Sequence, residues 1–146
     1  ATVARRAVEA GHEVAILSSD SDLLQLTRPG CTVWQFGRQD EPRYMARTEQ
    51  WIAEHYGIKS AEQLRLYKAM VGEPGDNLPG CKGCGPVKAR KILRDYPTAM
   101  AIMDSCQVKG RDFDLMLRLV TLDEDAPLGE IRPARIGFRP PARRGP

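Results

Sequence analysis

The chain has 146 residues, of which 42% are hydrophobic and 28% are charged, the balance of an ordinary globular domain. This composition excludes a wholly disordered chain, a collagen and a disulfide-stapled miniprotein, and no apolar run approaches the ~18 residues of a membrane span. No secretory leader is visible, and the 4 cysteines are expected to be reduced thiols in a cytosolic protein.

Positive charge is concentrated in two segments, although the net charge is only +3. Residues 132–146 contain five arginines and no acidic residue. Residues 80–94 also lack acids and carry the basic side chains Lys82, Lys88, Arg90, Lys91 and Arg94. Such concentration favours a polyanionic partner. The alternative is a solvated helix face followed by a flexible tail.

The first elements alternate between helix and strand. Helical spacing begins at Val3 with no capping residue before it, so we expect the chain to start inside a helix of a longer protein, and Gly11 ends that helix. The continuous apolar run at 13–17 predicts a buried parallel strand. The pattern then predicts a short helix over 22–26, a second strand over 31–36 and a polar connection over 38–47.

The remainder of the chain predicts helices. Helical spacing marks five segments, at 51–57, 60–71, 87–96, 97–103 and 113–120. Five glycines and three prolines in residues 72–86 predict loops and tight turns there. We expect Met100 and Met103 on the buried side of their helix, and both tryptophans in the core. After Asp125 the composition predicts a flexible tail.

Two aspartates follow the first predicted strand. Asp20 and Asp22 lie where ligands bind in open α/β sheets, beyond the carboxyl end of a strand. Two carboxylates one residue apart can hold a hard cation through their oxygens. Alternatively, Asp20 or Ser21 caps the short helix that follows, and for this motif alone capping is favoured.

A second acidic pair lies on the Gly/Pro-rich loop. The spacing of Glu73 and Asp76 could aim both carboxylates at one point. The alternative is ordinary turn chemistry, because Asp and Asn side chains bond to nearby backbone groups in turns.

A glycine hairpin leads directly into a basic helix at Leu78–Arg90. Glycines let the backbone approach a ligand closely, and the N-terminus of a helix presents free N–H groups to a phosphate. The side chains of Lys82, Lys88 and Lys91 would add positive charge near the same phosphates. The coincidence of these features makes this signal more specific than either acidic pair.

Cys81 and Cys84 form a Cys-x-x-Cys pair that must be weighed as a zinc or redox site. A structural zinc needs four ligands, and the remaining candidates are isolated in the sequence: Cys31, Cys106, His12 and His55. A redox pair is expected at the start of a helix after a strand. We interpret both cysteines as small apolar hairpin residues, with a zinc-bound interaction domain as the lesser alternative.

Together these segments resemble the 5′-nuclease superfamily, in particular the bacterial and phage 5′–3′ exonucleases such as the N-terminal nuclease domain of DNA polymerase I. The resemblance runs from residue 1 to about 128. It rests on five segments in the family's order: a strand-end motif with two metal-binding aspartates at Ser18–Leu26, a lead-in at Tyr56–Ile58, a Gly-Asp-x-x-Asp-Asn-like segment at Gly72–Asn77, a helix–three-turn–helix DNA clamp at Leu78–Ala89, and a closing segment at Leu119–Leu128.

The resemblance implies an α/β fold in which a partial PIN-like or Rossmann-like parallel sheet is followed by a helical helix–three-turn–helix module. The implied boundaries are 1–47 for the end of the nuclease sheet domain, 48–128 for the helical module with its clamp at about 72–96, and 129–146 for a flexible basic tail.

The resemblance also implies a metal-dependent 5′–3′ exonuclease or flap endonuclease, a monomer that acts on DNA with 5′ ends or flaps in the cytoplasm of a bacterial or phage-infected cell. Two magnesium ions, with manganese as a substitute, would activate water and stabilise the leaving oxygen. The implied metal ligands are Asp20, Asp22, Glu73 and Asp76, of which Asp20, Asp22 and Asp76 are catalytic. The hairpin would bind a potassium ion and grip duplex DNA through Lys82, Gly83, Gly85, Pro86, Lys88 and Lys91.

The sequence departs from the family pattern in two ways. Glu73 stands where the family has Asp, which changes the reach of that carboxylate by one methylene. The family's earlier acidic residues and its helical arch are absent from these 146 residues, so we expect the chain alone to be inactive or very weak. The rival interpretation is a non-catalytic module that binds duplex DNA through the hairpin and basic helix only.

Overall fold

A computed structural model describes residues 1–37, 39, 41–105 and 107–130. Its elements in chain order are α1 (Thr2–Glu9), β1 (Val14–Leu17), a first 3₁₀ turn (Ser21–Leu26), β2 (Cys31–Phe36), β3 (Tyr44–Arg47), α2 (Glu49–Tyr56), α3 (Gln63–Val71), a second 3₁₀ turn (Pro74–Asp76), α4 (Pro86–Asp95), α5 (Ala99–Asp104) and α6 (Gly110–Val120). Most of the predicted basic tail, residues 131–146, lies outside the described residues.

The described strands form one mixed sheet in the order β1-β2-β3. β1 and β2 are parallel, with Val14 opposite Cys31, as the helix-and-strand alternation predicts. β3 runs antiparallel to β2, with Phe36 opposite Tyr44. The α/β fold class is therefore confirmed, but the expectation of a plain polar connection over 38–47 is wrong for its last four residues. β3 is short and weakly apolar, and it forms because the free edge of β2 supplies backbone partners.

One face of the sheet is covered and the other is open in the described part of the chain. Along β1 the side chains alternate, and Leu17 is 54% exposed, so the expectation of a strand buried on both faces is wrong. Trp34 and Phe36 of β2 are also exposed, which corrects the placement of Trp34 in the core. A continuous apolar run predicts a strand that is buried on both faces of its sheet. Burial on both faces also requires helices or loops packed against each face, and here one face of the sheet is open.

The helices pack around α3, which is buried along most of its length and is contacted by α4 and α6. The fully buried side chains include Leu64 and Met70 of α3, Leu93 of α4 and Phe113 of α6. Each such side chain contributes about 1.5–3 kcal/mol by leaving water. Leu24 and Val33 of the sheet region belong to the same core, so the hydrophobic core crosses the predicted boundary at residue 47; the domain division itself stays a prediction.

The buried face of α5 differs from the one that helical spacing predicts. Met100 is 70% exposed and Met103 is 37% exposed, whereas Ile102 is fully buried, so the expectation for both methionines is wrong. The helix starts at Ala99 because the Thr98 hydroxyl accepts a hydrogen bond from the Ala101 N–H at 3.2 Å. Pro97 therefore precedes the cap, and Ile102 is the side chain that turns inward.

The two ends of the described chain meet. The Arg5 guanidinium donates hydrogen bonds to the Glu124 carbonyl at 2.8 Å and to the Asp125 carboxylate at 2.7 Å. The Thr2 hydroxyl donates to the Asp123 carbonyl at 3.1 Å. These bonds fasten α1 to the segment after α6. Among the described helices, none has the length and apolar character needed to cross a membrane.

Candidate metal centre and nucleic-acid interface

The loop between α3 and α4 is closed at its base by two glycines. Gly72 and Gly80 both have positive φ, +84° and +68°. A Cβ on Gly72 would lie 2.4 Å from the Leu78 carbonyl oxygen, and one on Gly80 would lie 2.5 Å from the Gly72 nitrogen. The two backbone segments therefore touch in a way that only glycine permits. The sequence shows both glycines, but the sequence analysis did not predict that they contact each other.

Backbone hydrogen bonds complete this closure and hold the acidic residues of the loop. The Glu73 N–H donates to the Leu78 carbonyl at 2.9 Å, and the Leu78 N–H donates to the Glu73 carbonyl at 3.1 Å. The Asp76 N–H donates to the Glu73 carbonyl at 3.0 Å, which forms the second 3₁₀ turn. Glu73 and Asp76 are thus fixed by the main chain.

Three carboxylates from two distant segments converge. Asp22 lies on the first 3₁₀ turn, directly beyond the carboxyl end of β1, and Glu73 and Asp76 lie on the loop after α3. One oxygen of each lies within 4.8 Å of the others. The side chains of Asp22 and Glu73 are about a quarter exposed, at 26% and 23%. We call Asp22, Glu73 and Asp76 the carboxylate trio; its oxygens suit a hard divalent cation.

Asp20 lies outside the trio. Its carboxylate accepts a hydrogen bond from the Asp22 N–H at 2.9 Å, and it is the N-cap of the first 3₁₀ turn. The structure therefore gives Asp20 the capping role that its motif alone favoured. Its role as a metal ligand stays a prediction.

A buried lysine neutralises part of this negative charge. Lys68 of α3 is 4% exposed, and its ammonium donates to Asp22 at 2.5 Å, to Glu73 at 2.8 Å and to the Ser21 hydroxyl at 2.9 Å. Burial by itself lowers the pKa of Lys68, but hydrogen bonds to the two carboxylates and their negative charges outweigh burial, so the pKa lies above its ordinary value. Lys68 is therefore a cation held between two of the three acids.

Sequence reasoning missed Lys68, although a signal existed. Leu64, Tyr67 and Met70 mark the buried stripe of α3, and Lys68 follows Leu64 by four residues, on the same stripe. A lysine on a buried stripe requires a partner, because an unpaired ammonium is costly to remove from water. Three carboxylates against one ammonium leave the cluster a formal charge of −2, which one divalent cation would balance.

The predicted hairpin follows the acidic loop without a break. Gly83 has a φ of +71°, and a Cβ added at Gly83 or Gly85 would meet nothing within 4 Å. Gly85 is the N-cap of α4, and Pro86 is its first residue. The backbone of the hairpin is therefore open to close approach, beside a helix N-terminus.

The hairpin cysteines are internal. Cys81 and Cys84 are 5% and 3% exposed, and both are free thiols. Burial, with a smaller contribution from Cys84, raises the pKa of Cys81 to about 11. In the described part of the chain no third metal-ligating side chain joins them, so nothing there supports the zinc alternative. They pack as small apolar residues.

The basic residues of the hairpin and α4 divide into two groups. Lys82, Lys88 and Lys91 are exposed. Arg90 instead turns back to α2, where its Nε donates to the Tyr56 carbonyl at 2.7 Å, and a Cβ on Gly57 would lie 2.8 Å from that nitrogen. Arg90 thus caps the C-terminus of α2, and the three lysines remain for an external anion.

No family model matches the chain. By sequence it is similar to bacterial DNA polymerases I: one from Thermus thermophilus, 40% identical over 96 residues or 66% of this chain; that of Bacillus caldotenax, 36% identical over 120 residues or 80%; and that of Rhizobium leguminosarum, 33% identical over 140 residues or 88%. The chain spans only 11–13% of the length of these three polymerases.

Solved structures with the same fold come from bacteriophage T5. The T5 5′-exonuclease with zinc bound superposes with a TM-score of 0.68 at 22% identity, covering 82% of this chain and 48% of the other. The T5 flap endonuclease in a complex with DNA and metal ions superposes with a TM-score of 0.65 at 19% identity, covering 82% and 46%. At this identity the likeness establishes the fold.

Proposed function

We propose, from the premise that this chain is a segment of the 5′-nuclease superfamily, that it forms part of a metal-dependent 5′–3′ exonuclease or flap endonuclease that hydrolyses phosphodiesters of DNA. The observation that carries the proposal is the convergence of the carboxylate trio directly ahead of an open glycine hairpin. The similar proteins are named as DNA polymerases and as a T5 flap endonuclease in complex with DNA. These names support DNA as the substrate class of this chain.

The trio is the part of the chain that would hold the metal. Asp22, Glu73 and Asp76 supply oxygen donors from two fixed turns, and their formal charge with Lys68 suits one magnesium or manganese ion. A bound divalent cation would activate water and stabilise the leaving oxygen of a phosphodiester. Asp20, two residues before Asp22, would be a further ligand. The carboxylate of Glu73 accepts a hydrogen bond from the Ser21 hydroxyl at 3.0 Å.

The hairpin and α4 would bind the duplex backbone. The open main chain at Gly83 and Gly85, followed by Pro86 at the start of α4, can approach a phosphate. Lys82 of the hairpin and Lys88 and Lys91 of α4 are exposed and would add positive charge to this segment. A potassium ion at the hairpin remains part of the proposal. Such contacts release counterions, so binding would weaken steeply as salt rises.

The metal arm is tested by calorimetric titration of magnesium into the 146-residue chain and into an Asp76→Asn variant. We expect the substitution to reduce affinity at least about tenfold, because it removes one of three ligand charges. Asp114→Asn is the matched control, since Asp114 is exposed on α6, away from the trio. Equal magnesium affinity in all three proteins would refute the metal centre.

The DNA arm is tested by fluorescence anisotropy with a blunt duplex. Replacing Lys88 and Lys91 together with alanine should weaken DNA binding. It should also reduce the slope of log affinity against log salt concentration by about the amount that two phosphate contacts contribute. Lys109→Ala should change neither the affinity nor the slope. The rival non-catalytic module predicts the same result here but no loss of magnesium binding in Asp76→Asn. Robust magnesium-dependent cleavage of a 5′ flap by the 146-residue chain would refute the proposal that it is inactive alone.

A further inference from the structure

The two thiols of the hairpin have no role in the proposed function. Cys81 and Cys84 are the first and last residues of the tight turn that leads from the acidic loop to α4. The Cys84 N–H donates to the Cys81 carbonyl at 3.0 Å, which is the hydrogen bond that closes a four-residue β-turn. Gly83, the third residue of the turn, has a φ of +71°, as a type II turn requires at that position.

This turn brings the two cysteines within reach of a disulfide bond. The first and last Cα atoms of a β-turn lie less than about 7 Å apart, and cysteines joined by a disulfide have Cα atoms about 4.4–6.8 Å apart. Both cysteine side chains are buried in one hydrophobic core, whereas Lys82 and Gly83 between them are exposed. The turn therefore holds both thiols on its inner face.

The environment of the thiols affects how fast they react. Burial raises the pKa of both thiols, and the charge of an ionised Cys84 raises the pKa of Cys81 further. Asp112 of α6 acts in the same direction on Cys81, and Lys88 of α4 opposes the increase in both thiols. Because the thiolate is the reactive form, the pair reacts slowly at neutral pH and faster in mild alkali.

A low-molecular-weight disulfide such as glutathione disulfide would join the two sulfurs by thiol–disulfide exchange. One protein thiolate attacks a sulfur of glutathione disulfide and expels one glutathione thiolate, which leaves a mixed disulfide on the protein. The second protein thiolate attacks the protein sulfur of that mixed disulfide and expels the other glutathione. The two protein thiols thereby lose two electrons and two protons, and one glutathione disulfide becomes two glutathione molecules.

A disulfide would move the side of the hairpin that is proposed to face DNA. The Cys81 end of the turn is held, because the Cys81 N–H donates to the Met70 carbonyl at 2.8 Å and its thiol donates weakly to the Ala69 carbonyl at 3.7 Å. A covalent bond brings two sulfurs closer than unbonded atoms can lie, so one residue must shift. Cys84 is the residue that can shift, because its neighbour Gly85 is the N-cap of α4 and a Cβ there meets nothing within 4 Å.

We infer that Cys81 and Cys84 are a redox-sensitive pair whose reversible disulfide weakens the binding of the hairpin to duplex DNA. The inference rests on the proposed function, since it takes the main chain of Gly83 and Gly85 to contact phosphates. Displacement of one N–H that donates to a phosphate lowers the affinity about tenfold.

The first test detects the disulfide without DNA. The 146-residue chain is equilibrated with glutathione disulfide and glutathione in mild alkali, its remaining thiols are blocked with N-ethylmaleimide, and it is digested with trypsin without a reductant. Trypsin cuts after Lys82, between the two cysteines, so the disulfide should keep peptides 69–82 and 83–88 joined at two hydrogens below their summed mass. Cys84→Ala should give no joined peptides. Cys31→Ala, which removes a buried thiol of β2, should still give them.

The second test measures the affinity for a blunt duplex by fluorescence anisotropy. The oxidised chain should bind about tenfold more weakly than the reduced chain, and dithiothreitol should restore the affinity. The affinity of Cys84→Ala should be the same before and after treatment with glutathione disulfide, whereas Cys31→Ala should respond as the parent chain does.

The outcomes separate this inference from the proposed function. Peptides 69–82 and 83–88 that separate or carry glutathione overturn the inference and leave the hairpin proposal intact. Joined peptides with an unchanged DNA affinity also overturn it. A reduced chain that does not bind the duplex overturns the proposed DNA binding and this inference together.

Discussion

Replacing Lys68 with methionine tests how the carboxylate trio is held together. Methionine is unbranched and one heavy atom shorter than lysine, so it keeps most of the apolar stem and removes the ammonium that bonds to Asp22 and Glu73. Removing one partner of a buried ion pair costs about 3–5 kcal/mol. Because the two carboxylates are about a quarter exposed, solvent recovers part of this, and we expect a loss of about 2 kcal/mol in the free energy of unfolding.

Magnesium should reverse this loss. Without Lys68 the trio carries a formal charge of −3, so its affinity for a divalent cation should rise by at least about tenfold. Binding to the folded state alone adds about 2.7 kcal/mol at a hundredfold excess over Kd, enough to offset the destabilisation. The assay is urea unfolding in EDTA and in millimolar magnesium.

Lys109→Met provides the control, since Lys109 is an exposed lysine before α6. It should change neither stability nor the response to magnesium. The reasoning is refuted if Lys68→Met unfolds at the parental urea concentration in EDTA, or if magnesium stabilises the variant no more than it stabilises the parent chain.

Three further changes test separate parts of the site. Gly80→Ala should lower the free energy of unfolding by more than about 3 kcal/mol, measured by urea unfolding, and should abolish magnesium binding, measured by calorimetry. Gly85→Ala should do neither, because a Cβ at Gly85 meets no atom within 4 Å. Asp20→Ala should cost about 1 kcal/mol in urea unfolding through the lost cap, and Asp20→Asn much less; equal losses would argue against capping. The free energy of unfolding should fall as the pH rises from 9 to about 11, because the Cys81 thiol ionises at a lower pH in the unfolded state than in the folded state. Urea unfolding at a series of pH values measures this fall, and Cys81→Ala should make it smaller.

Local signals in the sequence predict elements well where those signals agree. β2 has the predicted bounds of 31–36, because its alternating segment is preceded by the turn residues Pro29 and Gly30 and followed by Gly37. α2 ends at Gly57, which has the left-handed conformation that a glycine at the end of a helix predicts. The loop over 72–86 followed from its glycines and prolines. In each case the information lay within a few residues of the feature itself.

The features that sequence reasoning missed depend on partners far along the chain. β3 pairs because β2 offers an edge, and nothing in Tyr44–Arg47 alone requires a strand. Lys68 meets Asp22 across 46 positions, and Gly72 meets Gly80 only when the loop closes. Exposure of Trp34 depends on which layers cover the sheet. Spacing rules describe one element at a time, so they do not reach these contacts.

The charge of the trio limits what this chain can do by itself. The resemblance implies two metal ions, but three carboxylates with Lys68 leave a formal charge of −2, which balances one. A second divalent ion held by the same oxygens would lie close to the first and be repelled by it, unless further acids contributed. Titration should therefore give one magnesium per chain. Two equal tight sites per chain would mean that the described carboxylates are not the whole acidic set, and would remove the physical reason for expecting the chain to be inactive alone.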